Sequence, residues 1–191
     1  MAKIADCYYG TAADGYDKLR ENTPGRQKER HAIAQMLKQR ILGHTTTSML
    51  DAPCGTGAFA DLYRHLDSVG IDSSDEMLSI CNKKHGWLET MNVDMSKPLP
   101  FYDNEFSVSL CVRFFWWTPD GVMQQVMKEL RRVSRSVIFS IRISPEYGRP
   151  SGSKRKSLGH TQAQLDEALG GWRVTDDISV AGDYRMMRAV P

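Results

Sequence analysis

Asp51 stands immediately before Ala52-Pro53-Cys54-Gly55-Thr56-Gly57, Asp72 closes the next apolar run, and Asp94 follows the one after that. A glycine loop between a strand and a helix lets backbone approach a ligand closely, and the following helix N-terminus offers unpaired N–H groups. A carboxylate at the end of the second strand can accept hydrogen bonds from both hydroxyls of a ribose, as the acidic residue does in dinucleotide sites. Gly55, Gly57 and Asp72 together point to an adenosine-containing ligand without saying which. Gly55-x-Gly57-x-x-Ala60 with Asp72 downstream also satisfies a loose dinucleotide fingerprint, so a nicotinamide cofactor stays open on these residues. Taken singly, a tight turn and carboxylates capping helices explain each position equally well. Three acidic groups at successive strand ends favour a site.

The elements that would position these groups alternate strand-length apolar runs with helical patterns of about a dozen residues, the rhythm of βαβ units around a parallel sheet. A helix is expected over 26–42, with Ile33, Met36, Leu37 and Ile41 on one face and Gly43 as its stop. Strands are expected at 48–51, 68–72, 88–95, 106–112 and 137–141. Phe59, Leu62, Tyr63 and Leu66 predict a helix after the glycine loop, and Ser73 with Glu76 has capping-box spacing ahead of Met77, Leu78 and Cys81. Thr118-Pro119 can start a helix that turns Val122, Met123, Val126, Met127 and Leu130 inward. Residues 144–160 form a long loop rich in Gly, Pro, Ser and basic residues. A capping box, Thr161 with Gln164, opens a short helix that stops at Gly170-Gly171, and 172–180 with 184–190 form a hairpin around Ala181-Gly182-Asp183. The fold class is therefore α/β: a doubly wound, mostly parallel seven-stranded sheet with an antiparallel C-terminal hairpin strand. An N-terminal segment, 1–25, precedes a single domain, 26–191.

A chain of 191 residues with 41% apolar and 25% charged residues has the size and composition of one folded, soluble domain. Its net charge of +2 implies neither a nucleic-acid nor a membrane partner. Cys7, Cys54, Cys81 and Cys111 form no C-x-x-C pair, which argues against zinc and a disulfide framework and favours a reducing cytoplasm. No export signal or membrane span is visible, and no acidic or histidine spacing suggests a metal.

Asp51 ahead of the glycines and Asp94 after the third strand separate the methyl-donor reading from the nicotinamide one. The series Leu50-Asp51-Ala52-Pro53-Cys54-Gly55-Thr56-Gly57, Gly70-Ile71-Asp72-Ser73-Ser74-Asp75-Glu76-Met77-Leu78, Asn92-Val93-Asp94, Leu99-Pro100-Phe101 and Glu129-Leu130-Arg131-Arg132-Val133 resembles the motifs of class I (Rossmann-like) S-adenosylmethionine-dependent methyltransferases. The resemblance extends over nearly the whole chain and is to the small-molecule type related to quinone-biosynthesis enzymes. It implies S-adenosylmethionine as cofactor, with Asp51 orienting the loop or the methionine amino group, Gly55 and Gly57 beside the methionine, Asp72 on ribose, Asp94 on the adenine amino group and Met77 on the adenine face. Ala52, Pro53, Ser73, Met95 and Cys111 are placed in the same groove. Pro53 departs from the family, which more often has a third glycine there; proline fixes φ and removes a donor. The segment from Tyr8 through Tyr16 to Arg20 resembles a tyrosine-containing lid that would exclude water during transfer, with Arg20 or Arg26 a partner for the methionine carboxylate.

Methyl transfer is an in-line displacement at a sulfonium carbon, so alignment at near-attack distance is the main requirement. Arg113-Phe114-Phe115-Trp116-Trp117 follows the fourth strand, where the family's acceptor pocket lies, and aromatic faces suit both a planar substrate and a sulfonium. Phe114 and Phe115 read as packing, and Trp116 or Trp117 as pocket, since two adjacent tryptophans are hard to bury together. His160 is the best-placed histidine for a general base, with a surface or helix-start histidine the more ordinary reading. Tyr147, Arg149 and Lys154-Arg155-Lys156 could meet an acidic acceptor, although such runs are usually solvated. The expected acceptor is a small metabolite, aromatic ones included, methylated at oxygen, nitrogen or activated carbon. An RNA- or ribosome-directed enzyme using Lys154-Arg155-Lys156, or a cofactor-binding module without turnover, are the alternatives. No motif for nucleic-acid base methylation follows strand four, so nucleic acid is disfavoured as partner.

Overall fold

The computed structural model describes residues 17, 22–38, 46–116, 118, 121–145 and 159–191. Tyr16, Arg20, Trp117, Tyr147, Arg149 and the run Lys154 to Lys156 lie outside them, as does most of the expected lid.

Helix α1, Pro24–Lys38, starts where the proline ring pre-sets φ and the Arg26 amide donates to the Thr23 hydroxyl at 3.3 Å. It buries Arg26, Glu29, Ala32, Ile33 and Met36, a stripe at three- and four-residue spacing. Strand β1, Ser48–Asp51, pairs parallel with β2, Asp67–Asp72, on one side and with β4, Val108–Cys111, on the other. Beyond β2 lies β3, Glu89–Asn92; beyond β4 lies β5, Val137–Arg142, also parallel. Strands β6, Arg173–Ala181, and β7, Tyr184–Val190, form the expected hairpin, and β7 pairs antiparallel with β5. The order β3-β2-β1-β4-β5-β7-β6 confirms the expected seven-stranded α/β sheet. Its crossover between β1 and β4 leaves a crevice at their carboxyl ends, the usual ligand position in such sheets.

Consecutive residues feed opposite faces. Met49, Ile138 and Met186 pack with Ile33, Met36 and Tyr63 on the α1 side. Leu50, Phe139 and Met187 pack on the other side with helix α3, Val122–Val133, through Met123, Val126, Met127 and Leu130, and with α4, Gln162–Leu169, through Leu165, Ala168 and Leu169. Both faces are covered, so β4 and β5 read as nearly unbroken apolar runs rather than alternating ones.

Several local expectations need correction. The segment after the glycine loop is a short 3₁₀ helix, Ala60–Tyr63, because amides bond three residues back, Leu62 to Phe59 and Leu66 to Tyr63, before the chain enters β2. Helix α2, Asp75–Lys84, is capped by Ser74 and not Ser73: the Ser74 hydroxyl accepts from the Met77 amide at 3.2 Å and donates to Glu76 at 2.9 Å. Strands β3 and β4 are shorter than their apolar runs: β3 ends at Asn92, and Phe106 bridges Ser134 ahead of the β4 ladder. Helix α3 starts after Gly121, at φ 83°, and not at Thr118-Pro119. The Thr161 and Gln164 capping box and the Gly170 stop are as expected.

Candidate active site at the carboxyl edge of the sheet

The glycine loop is tied to two strands at once: the Ala52 amide donates to the Leu110 carbonyl on β4 and the Cys54 amide to the Ile71 carbonyl on β2, each at 2.8 Å. Between them the Ala52–Pro53 peptide is cis. Gly55 has φ +55° and open space where a side chain would stand, whereas a Cβ on Gly57, at φ +70°, would lie 2.6 Å from His85 Cδ2 and 2.8 Å from Cys81 Sγ. Gly57 is thus required by α2 and its neighbour His85, while Gly55 leaves its surface clear for a ligand.

Asp72, at the end of β2, accepts from the Gly55 amide with Oδ2 and from the Ser74 amide with Oδ1, both at 3.0 Å. Burial raises its pKa, against the lowering effect of those backbone donors. Asp51, 2% exposed at the end of β1, accepts from the Tyr63 hydroxyl. Burial is the chief cause that pushes its carboxyl up to about 7, opposed by the Tyr63 hydrogen bond and reinforced by the charge of Asp72. Asp94 is exposed; its Oδ1 accepts from the Ser96 amide at 2.9 Å and hydroxyl at 2.7 Å, which holds its pKa below the ordinary value. Met77 and Met95 are buried near the ends of β2 and β3, Ser73 is exposed, and Cys111, wholly buried, ends β4 with its thiol pKa raised by burial. Ala52 is buried and Pro53 half-buried.

Two arrangements were not foreseen. Asp17 is clasped to the glycine loop, accepting from the Thr56 hydroxyl with Oδ1 and from Lys84 Nζ with Oδ2, each at 2.8 Å. On the other side, Glu29 is fully buried on α1 and accepts from Arg113 Nε and Nη2, both at 2.8 Å, and from the Tyr184 hydroxyl. A glutamate on the apolar face of the α1 pattern was a readable sign that a cation waited on that face. Its partner, 84 residues away, carried no local sign. His85, just past α2, also stands against Gly57.

Residues 49–136 match the model of the methyltransferase domain, a stretch that holds Asp51, Gly55, Gly57, Asp72 and Asp94. The match takes in just under half of the chain, whose sheet and flanking helices form the α/β methyltransferase fold. S-adenosylmethionine is the cofactor that this domain uses. Among solved structures, magnesium protoporphyrin IX methyltransferase from Synechocystis PCC 6803 with bound SAH superposes with a TM-score of 0.77 at 15% identity, over 98% of this chain and 97% of that one. A SAM-dependent methyltransferase from Leishmania major gives 0.75 at 13%, over 94% and 78%. Streptomyces venezuelae DesVI gives 0.70 at 16%, over 96% and 100%. At these identities the likeness is one of fold. No curated protein matches the chain in sequence.

The residues expected on the acceptor side are placed by packing. Arg113 sits at φ 63°, its guanidinium engaged by Glu29 and 5.7 Å from the Trp116 ring centroid, so its charge is held inside the fold. Trp116 is 8% exposed and meets Tyr184 edge to face at 4.4 Å. His160 is neither on the surface nor open: it is fully buried, with Nε2 2.8 Å from the Phe115 carbonyl and its own amide and carbonyl bonded to Arg142 and Ser144. That ring braces the loop after β4 against the start of α4. Arg26, 4% exposed, stacks 4.6 Å from the Phe59 ring centroid and lies 3.9 Å from Glu29. Among the described residues, no group of three or more His, Cys, Asp or Glu side chains is placed to hold a metal, and no helix is long and apolar enough to cross a membrane.

Proposed function

We propose that the protein transfers the methyl group of S-adenosylmethionine to a small-molecule acceptor, with 1–25 as a lid and 26–191 as one domain. The observation that carries this reading is the bond between the Gly55 amide and Asp72, which sets a carboxylate at the end of β2 beside the open surface of the glycine loop. The donor's shape fits that cradle: clear space over Gly55 and acidic groups at the ends of β1 and β2 and after β3. Asp72 holds the ribose hydroxyls, Asp51 the methionine ammonium, and Gly55 and Gly57, with Ala52 and Pro53, form the wall along the methionine. Met77, Ser73, Asp94 and Met95 frame the adenine and Cys111 closes the floor; Tyr16 and Arg20, outside the described residues, are the further candidates for donor binding. When bound, S-adenosylmethionine supplies an electrophilic methyl group. The chain's own part is to align acceptor and donor and to exclude water.

The acceptor lies over the loop after β4, near Trp116, with Trp117, outside the described residues, as a further candidate. His160 supports this loop through the Phe115 carbonyl rather than taking the acceptor's proton. Free thiols at Cys54, Cys81 and Cys111 support a cytoplasmic setting. The reading is tested by calorimetric titration of S-adenosylmethionine, S-adenosylhomocysteine and NAD into wild type and Asp72→Ala. Both sulfur ligands should bind wild type and lose about tenfold or more in the variant, as expected when a charged partner of two hydroxyls is removed. Binding of NAD with neither sulfur ligand would overturn it.

A further inference from the structure

We infer that the methyl acceptor carries a carboxylate, anchored by Arg142 and Trp116 at the carboxyl ends of β5 and β4. The inference rests on the methyltransferase reading and names the class of its second substrate.

Arg142 is the last residue of β5. Its Nη1 donates to Asp183 at 2.5 Å, while its Nε is buried with no hydrogen-bond partner. The guanidinium carbon lies 4.9 Å from the Trp116 ring centroid and 6.0 Å from that of Tyr184. Trp116, 8% exposed, has its own buried Nε1 without a partner. Buried donors are nearly always paired, so two unpaired ones on touching side chains mark a place that something else completes.

Both orphans are N–H groups, and neither an arginine nor an indole nitrogen can accept. A single partner that completes both has to offer acceptors to two donors, and a planar carboxylate does so with two oxygens. An amine or ammonium would add a third donor and repel the guanidinium.

Glu29 is engaged by Arg113 and Tyr184, and Asp183 by Arg142. Arg142 and Asp183, with 20% and 30% of their side chains exposed, form the open edge of the cluster. A carboxylate with both oxygens bonded is a poor nucleophile, so it serves as the anchor and the methyl group goes to another atom of the acceptor.

The test uses ¹⁵N-labelled full-length protein saturated with S-adenosylhomocysteine. The Trp116 indole signal is assigned with Trp116→Phe, and benzoate, 4-hydroxybenzoate and hexanoate are titrated to millimolar concentration beside benzamide and benzylamine. The carboxylates should shift the Trp116 indole resonance while the amide and amine do not. Arg142→Gln should weaken carboxylate binding about tenfold or more, and Arg142→Lys, which keeps the charge and loses the Nε–H, should weaken it several-fold. A Trp116 signal unmoved by every carboxylate, or undiminished binding to Arg142→Gln, overturns the inference. The wild-type titration decides if the variants do not fold. Absence of S-adenosylhomocysteine binding would strike the donor reading instead, a failure seen in a separate titration.

Discussion

The guanidinium of Arg113, just past β4, delivers two 2.8 Å hydrogen bonds to the carboxylate of Glu29 on α1, and Glu29 is wholly buried. The pair locks the N-terminal helix to the loop that borders the acceptor side. Breaking a buried pair leaves one charge uncompensated, so Glu29→Ala should cost about 3–5 kcal/mol of folding stability. The double variant with Arg113→Met should cost less than the sum of the singles. Denaturant unfolding of the four proteins gives the coupling; strict additivity would mean that the pair does not act as a unit.

Asp51 predicts a pH dependence with a definite sign. Its folded pKa of about 7 lies above the ordinary 3.8, so between those values the folded chain holds a proton that the unfolded chain has released. Stability therefore falls as pH rises from about 4 to about 7 and then levels off. Asp51→Asn should remove this slope and gain stability at pH 8, on the order of 4 kcal/mol at most. In the proposed role the ionised form pairs with the donor's ammonium, so donor affinity should rise through pH 7. Unfolding curves and calorimetry at pH 5, 7 and 8 measure both, and a wild type with no slope would reject the assignment.

The two loop glycines should respond differently to alanine. Gly55→Ala meets only the left-handed backbone, a cost of about 1–2 kcal/mol. Gly57→Ala adds contacts at 2.6 Å and 2.8 Å with His85 and Cys81, so it should lower Tm clearly more. Equal melting shifts would contradict the close approach of α2 to the loop.

Asp17 links the N-terminal segment to the glycine loop through Thr56 and Lys84. The pair with Lys84 is partly exposed, with 24% and 39% of the two side chains accessible, so Asp17→Ala should change stability by less than about 1 kcal/mol. If the segment serves as a lid, the same variant should raise the donor KM several-fold. Steady-state kinetics beside a melting curve separates the two effects.

Spacing and residue type account for most of the fold: the order of strands and helices, the glycine loop, the hairpin around Gly182 and the cap at Thr161 follow from local rules. The carboxylates at 51, 72 and 94 were legible for the same reason, since each sits at the end of its own apolar run. Local rules failed where neighbours distant in sequence competed. Ser73 and Ser74 are equally good caps on paper, and the chain's exit from β2 chose Ser74. His160 is of a residue type that serves as a general base, yet the pairing of Ile143 with His160 folded it beneath the Phe115 carbonyl.

The sequence alone determined the groups proposed to hold the donor, because each is set by its own strand and turn. Only the tertiary structure decided the cluster proposed to meet the acceptor. Glu29, Arg113, Trp116, Arg142 and Tyr184 come from α1, β5, β7 and the loop after β4, and their meeting depends on the sheet order that brings those strands side by side. Burial then sorts the charges into those satisfied within the fold and the donors of Arg142 and Trp116 left without a partner. No spacing along the chain encodes that difference.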